Sequence, residues 1–206
     1  MNKIFIEAKD KRTSEYFFIK TILNIYFPQK EVEFVFMNGI GNLFNETNRN
    51  QISQAQITGE QVLVLVDADT KGKKAGYNKR KDELDNGMST HQISFPYFLY
   101  PNNQDDGDVE VLMEHSARRD LHGTFFDCFE DYEKCVSGVK DKSGEPSYNV
   151  PNLKGKLHTY MSAQKLPSRM SNRFGSGDWL FDNNQYWNLD VEALEPLKDF
   201  FSANLQ

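Results

Sequence analysis

Two cysteines, four histidines and no long apolar run remove several classes of protein at the outset. Cys128 and Cys135 are seven residues apart. On one helix that is about 10.5 Å of rise, beyond the roughly 7 Å over which two Cα atoms can be bridged. Two cysteines do not build a zinc cage, and the histidines show no ligand spacing beside them. No stretch approaches the roughly 18 apolar residues of a membrane span. The N-terminal MNKIFIEAKDK meets charge after a short apolar stretch, which is not how a signal peptide reads. Together these absences predict a reduced, cytoplasmic protein with no membrane contact.

What is present suits a folded domain. The 206 residues include 16 Phe, 9 Tyr and 2 Trp, so the core is expected to rely on large rings. A net charge of −6 argues against a protein that coats nucleic acid with its whole surface. The charge is unevenly spread, however. Thr70–Lys81 contains no acid but carries Lys71, Lys73, Lys74, Lys79, Arg80 and Lys81. Pro146–Gly177 again lacks acids, with Lys154, Lys156, Lys165, Arg169 and Arg173. Such segments suit either a phosphate-facing surface or plain solvated faces.

The first hundred residues alternate in pattern. Lys3–Glu7, Glu33–Met37, Gln61–Asp67 and Ile93–Tyr100 read as strands, the last with Pro96 pointing to an edge or a bulge. Ser14–Tyr26, Leu43–Ile57 and Ala75–Gly87 read as the intervening helices, with Ser14 as the expected cap of the first. Four strands joined by three helical crossovers predict an α/β fold with a parallel sheet and helices on both faces. The rest reads as helical over Asp108–Ala117, Thr124–Val139, Leu153–Gln164 and Asp190–Asn204, with Lys140–Pro151 and Leu166–Gly177 as loops. Residues 1–118 are expected to form the α/β core and residues 119–206 a helical C-terminal extension packed on it.

Val66-Asp67-Ala68-Asp69 is the sharpest chemical signal. In a strand, residues i and i+2 project to one side, so a strand ending in D-x-D presents two carboxylates together. Two such charges call for a cation, a shared proton or full hydration, and hard oxygen ligands suit Mg²⁺, Mn²⁺ or Ca²⁺. A solvated pair that opens a loop is the simpler alternative. Glu7 also ends an apolar strand. It meets Asp67 and Asp69 only if strands one and three are neighbours, as in the doubly wound order 2-1-3-4. Asn38-Gly39-Ile40-Gly41-Asn42 marks a chain reversal. Gly39 and Gly41 there either admit a phosphate to backbone N–H groups or serve the turn alone. No phosphate-binding G-x-x-x-x-G-K-[ST] and no G-x-S-x-G elbow occurs.

A first strand ending in Glu7, a second ending in a Gly-containing turn and a third ending in D-x-D together resemble the Toprim domain. Within that superfamily the chain is similar to small stand-alone bacterial Toprim-like proteins of unassigned function, and more distantly to OLD-type nucleases. The likeness continues through Gly107-Asp108-Val109-Glu110 and the tail from Lys154-Gly155-Lys156 to Phe200-Phe201. It implies a Rossmann-like Toprim sheet and a nuclease that cleaves phosphodiesters of DNA or RNA with Mg²⁺ or Mn²⁺. Glu7, Asp67 and Asp69 would be catalytic and metal-holding, with Glu110 an accessory acid. Lys71, Lys73, Lys74 and Arg80 would face nucleic-acid phosphates. Two departures stand out. Ala8 replaces the usual Gly after the first Glu, and Lys11 stands where many members carry an acid, with Asp10 one residue earlier. They leave open a catalytically degenerate module that binds nucleic acid or protein. A D-x-D phosphatase or phosphotransferase fits less well, because that family sets its pair on the first strand and Lys71 occupies its Thr or Val position.

Overall fold

Alternating apolar runs and amphipathic segments build the chain in the order β1 (Asn2–Ile6), α1 (Ser14–Tyr26), β2 (Val32–Phe36), α2 (Glu46–Ile57), β3 (Gln61–Asp67), α3 (Tyr77–His91) and β4 (Tyr97–Tyr100). There follow α4 (Val109–Ser116), α5 (Arg119–Ser137), α6 (Leu153–Ser162), α7 (Ser168–Gly175) and α8 (Glu195–Asn204). The computed structural model describes all of residues 1–206. The four strands form one parallel sheet in the order β2-β1-β3-β4, so the fold is α/β with the central pair β1 and β3. β4 is an edge strand and begins after Pro96, whose missing N–H removes one ladder donor.

Side chains alternate across the sheet and feed two cores. Ile4, Ile6, Leu63, Leu65, Phe98 and Tyr100 face a core of 28 buried residues. Phe5, Val62, Val64, Val66 and Leu99 face a second core of 14. The larger core takes in α1 through Phe18 and Ile22, and the C-terminal extension through Leu157, Tyr160, Trp187 and Phe201. The extension is thus continuous with the sheet's own core. Asn2 of β1 also exchanges hydrogen bonds with Gln206 at 3.0 and 3.1 Å. Gly177, at φ +91, sits so close to the Arg12 carbonyl that a Cβ would lie 2.5 Å from it. A glycine there lets the extension press on the β1–α1 loop.

Several local expectations need correction. α1 is capped by Thr13, whose Oγ1 accepts from the Tyr16 N–H, and Ser14 is its first helical residue. Part of the expected loop Leu166–Gly177 is α7, which opens after Pro167, a residue suited to a helix start. Asp190 caps no helix. A single 3₁₀ turn, Glu192–Leu194, precedes α8, and Pro196 occupies its first turn. No helix is long and apolar enough to cross a membrane.

Candidate functional site

The C-terminal ends of β1 and β3 adjoin, as parallel pairing of Ile6 with Leu65 requires. Glu7 leaves β1 and is half-buried there. Its Oε1 accepts from the Asp67 N–H at 2.9 Å and its Oε2 from the Ile40 N–H at 3.2 Å. The turn after β2 therefore serves Glu7. Gly39, at φ +99, places the reversal so that Ile40 donates to this carboxylate, and its own N–H bonds the Glu7 carbonyl at 2.8 Å. A Cβ added at Gly41 would meet nothing within 4 Å.

Asp67 continues the row of Leu63 and Leu65, on the face of the larger core. Its Oδ1 accepts from the Val109 N–H at 3.0 Å, at the start of α4. Helix N-termini favour anions there. Asp69 does not follow Asp67 to the same partners. It adopts a left-handed φ of 59°, which ends the strand's alternation. Its carboxylate is held by Lys73 at 2.8 Å and Arg80 at 2.9 Å, while its backbone pairs with Gly107. Glu110 lies in the first turn of α4 with a side chain only 7% exposed, and its Oε1 meets Lys154 Nζ of α6 at 2.8 Å. No three of these carboxylates converge closely enough to ligate one ion as the side chains stand.

Charge is concentrated at this point. Burial raises the Glu7 carboxyl above its ordinary value, although the Asp67 N–H and Arg80 oppose it. Asp67 is pushed well above the carboxylate range by burial, then by Glu7, Glu110 and Glu15. Glu15 was not singled out by the sequence. It sits in the first turn of α1, where an acid is ordinary dipole preference. In the folded chain burial, then Glu7 and Glu110, push its carboxyl up to about 8. Burial, then Glu110, also raises Asp108. Tyr100 pairs in register with Asp67 and is fully buried. Its hydroxyl has no hydrogen-bond partner, and its pKa is raised by burial and by the charges of Glu15, Asp67, Glu7 and Glu110.

The other expected residues divide. Arg80 points inward: its side chain is 12% exposed and bridges Asp69 and Glu83. Lys73 lies at the crevice through Asp69. Lys71 and Lys74 are exposed, the latter at φ 58. Asp10 turns into its own loop, accepting from the Arg12 backbone at 2.7 Å and pairing with its guanidinium at 2.9 Å. Ala8 is buried in the larger core. In the second acid-free segment Lys154 reaches Glu110, whereas Arg173 is spent on Asp178 and Asp182 within the extension. A surface groove of about 770 Å³ is lined by residues including Glu114, His115, Arg118 and Asn188, and by none of the strand-tip acids. Its arginines are already paired, Arg118 with Asp120 and Arg119 with Glu114 and Glu130. The strand-tip carboxylates therefore lie outside this groove.

The family model described as Protein of unknown function (DUF3226) matches residues 1–206. No curated protein and no solved structure matches the chain.

Proposed function

The chain belongs to the DUF3226 family, and we propose that its strand-tip crevice is the site of a Toprim-like, divalent-cation-dependent nuclease acting on phosphodiesters. One observation carries this reading. Glu7 bonds the Asp67 N–H and Asp67 the Val109 N–H next to Glu110, and at this place Asp67 and Glu15 are both raised above their ordinary pKa by burial and by the charges of Glu7 and Glu110. Such a cluster is an incomplete electrostatic arrangement that a hard cation completes.

The donor set fits Mg²⁺ or Mn²⁺ in chemistry. It is all oxygen and anionic, and the unpartnered Tyr100 hydroxyl adds a polar group beside it. Asp67, Glu7 and Glu110 would hold the ion, with Asp69 at the rim; ligation by three of them needs side-chain movement. When bound, such an ion neutralises charge developing on the scissile phosphate. The chain's own residues do the rest. The Ile40 and Asp67 N–H groups fix the Glu7 carboxylate. Burial and the charges of Glu7 and Glu110 push the Glu15 carboxyl up to about 8 in the metal-free chain, and its ionised form would be favoured by a cation in the cluster. Lys73 and Lys71 stand on the loop directly after the D-x-D, where they can meet flanking phosphates.

The test is a cleavage assay with purified protein on plasmid, single-stranded DNA and RNA, each with Mg²⁺ or Mn²⁺, beside Asp67→Asn. Cleavage lost with that substitution supports the reading, and cleavage that survives it points to a contaminant. A second reading is a non-catalytic Toprim-like module that binds nucleic acid or a protein partner. It is favoured by the internal partners already held by Asp69 and Glu110. Cation-independent, salt-sensitive binding without cleavage would select it.

A further inference from the structure

We propose that Lys154 is a built-in counter-cation of the acid cluster, and that a divalent cation entering the cluster displaces its ammonium from Glu110. The inference rests on the divalent-cation reading above and adds a regulatory contact supplied by the C-terminal extension.

The pair is asymmetric. Glu110 is fixed in α4 with a side chain 7% exposed, whereas that of Lys154 is 57% exposed. The anion stays, and the ammonium, desolvated against Glu110 although its stem is exposed, can leave by rotation of that stem. Burial works against the charge on Lys154, but Glu110, then Glu15 and Asp67, outweigh it and raise its pKa. Its charge therefore acts on three members of the cluster, although it touches only Glu110. Tyr100, in register with Asp67 and fully buried, carries a hydroxyl with no partner, a second unsatisfied polar group at the same strand ends.

Release of Lys154 would not undock α6. Two residues on, Lys156 is buried and holds Glu114 of the same helix α4 at 2.9 Å, and Leu157, Tyr160 and Met161 pack in the larger core. The two lysines thus do different jobs: Lys156 fixes α6, and Lys154 reaches the site from it. A released Lys154 ammonium, at the mouth of the crevice, becomes available to a phosphate oxygen of the substrate. By linkage, whatever draws Lys154 away from Glu110 strengthens cation binding by the same factor.

Calorimetric titration of the full chain with Mn²⁺ tests this. Lys154→Met is expected to bind Mn²⁺ about 5- to 50-fold more tightly than the wild type, and Lys154→Arg to stay near the wild-type affinity. Lys165→Met, an equal charge change at an exposed residue, should leave affinity within about twofold. In a Glu110→Gln background the Lys154→Met gain should be smaller than in the wild type, since the contact is lost while the action on Glu15 and Asp67 remains, and an undiminished gain overturns the proposal. Lys154→Gln serves as the second neutral variant, with melting curves to confirm folding. Unchanged or weaker Mn²⁺ binding in the neutral variants overturns the proposal while leaving the cation reading intact. An equal gain in Lys165→Met also overturns it, by showing a bulk charge effect. No Mn²⁺ binding by the wild type or any variant overturns both.

Discussion

The two halves of the crevice solve the same problem in opposite ways. At the rim, Asp69 sits between Lys73 and Arg80 and is neutralised by the chain itself. Inside, Glu7 and Asp67 have only backbone N–H donors, and Glu15 has no ion pair, so burial pushes all three carboxyls up, and Glu7 and Glu110 add repulsion at Asp67 and Glu15. The two acids of one D-x-D thus fall on different sides of the divide. The left-handed turn at Asp69 is the cause. The rim acid contributes to the folded state as it stands, while the inner acids are held in a state that a ligand would relieve.

Four substitutions sharpen that contrast. The largest effect is expected for Asp67→Asn, which should lower Mn²⁺-dependent cleavage at least ~100-fold and leave the melting temperature of the metal-free protein unchanged or raised. Asp69→Asn should do the reverse to stability. It removes one of the two carboxylate partners of Arg80, whose side chain is 12% exposed and keeps only Glu83, and should cost about 1–3 kcal/mol in chemical denaturation.

Next is Glu15→Gln. A raised carboxyl pKa means that the folded protein binds more protons than the unfolded chain, so stability falls as pH rises through the window. For Glu15 the window runs from its ordinary 4.5 to about 8. Glu15→Gln should remove that loss, gaining about 1–2 kcal/mol, or roughly 2–8 °C, at pH 8 and little at pH 4.5 or below. Melting curves across pH read this directly, and a wild type no less stable at pH 8 than at pH 6, relative to Glu15→Gln, would break the contrast. The smallest effect belongs to Lys73→Ala. Its pair with Asp69 is exposed on the lysine side and should be worth about 0–1 kcal/mol.

Much of the scaffold was legible beforehand. The unbroken apolar run of β3 announced a strand buried on both faces, and its bounds agree with Gln61–Asp67. Strand alternation with helices, and the wish to join Glu7 to Asp67, pointed to the order 2-1-3-4 that the sheet has. What stayed hidden depends on tertiary contact or on single dihedrals. An αL residue at Asp69 leaves no trace in a D-x-D pattern, so both carboxylates looked alike. Glu15 looked like any first-turn acid, because its burial against Glu7 comes from how α1 packs on β1. Arg80 counted as a surface cation in a run of lysines, and only the fold turns it inward. α7 was obscured by its polar sequence, SRMSNRFG, which has few apolar positions from which to read a period.

The central claim is that the inner acids form an electrostatically incomplete site, and the most direct measurement is the melting temperature at pH 8 as Mn²⁺ is raised to millimolar concentrations. Binding to the folded chain alone stabilises by about 2.7 kcal/mol at a hundred times Kd, which for a chain of this size is a rise of roughly 5–10 °C. The account predicts that rise in the wild type and its loss in Asp67→Asn. A melting temperature indifferent to Mn²⁺ and Mg²⁺, or an equal rise in Asp67→Asn, would contradict it.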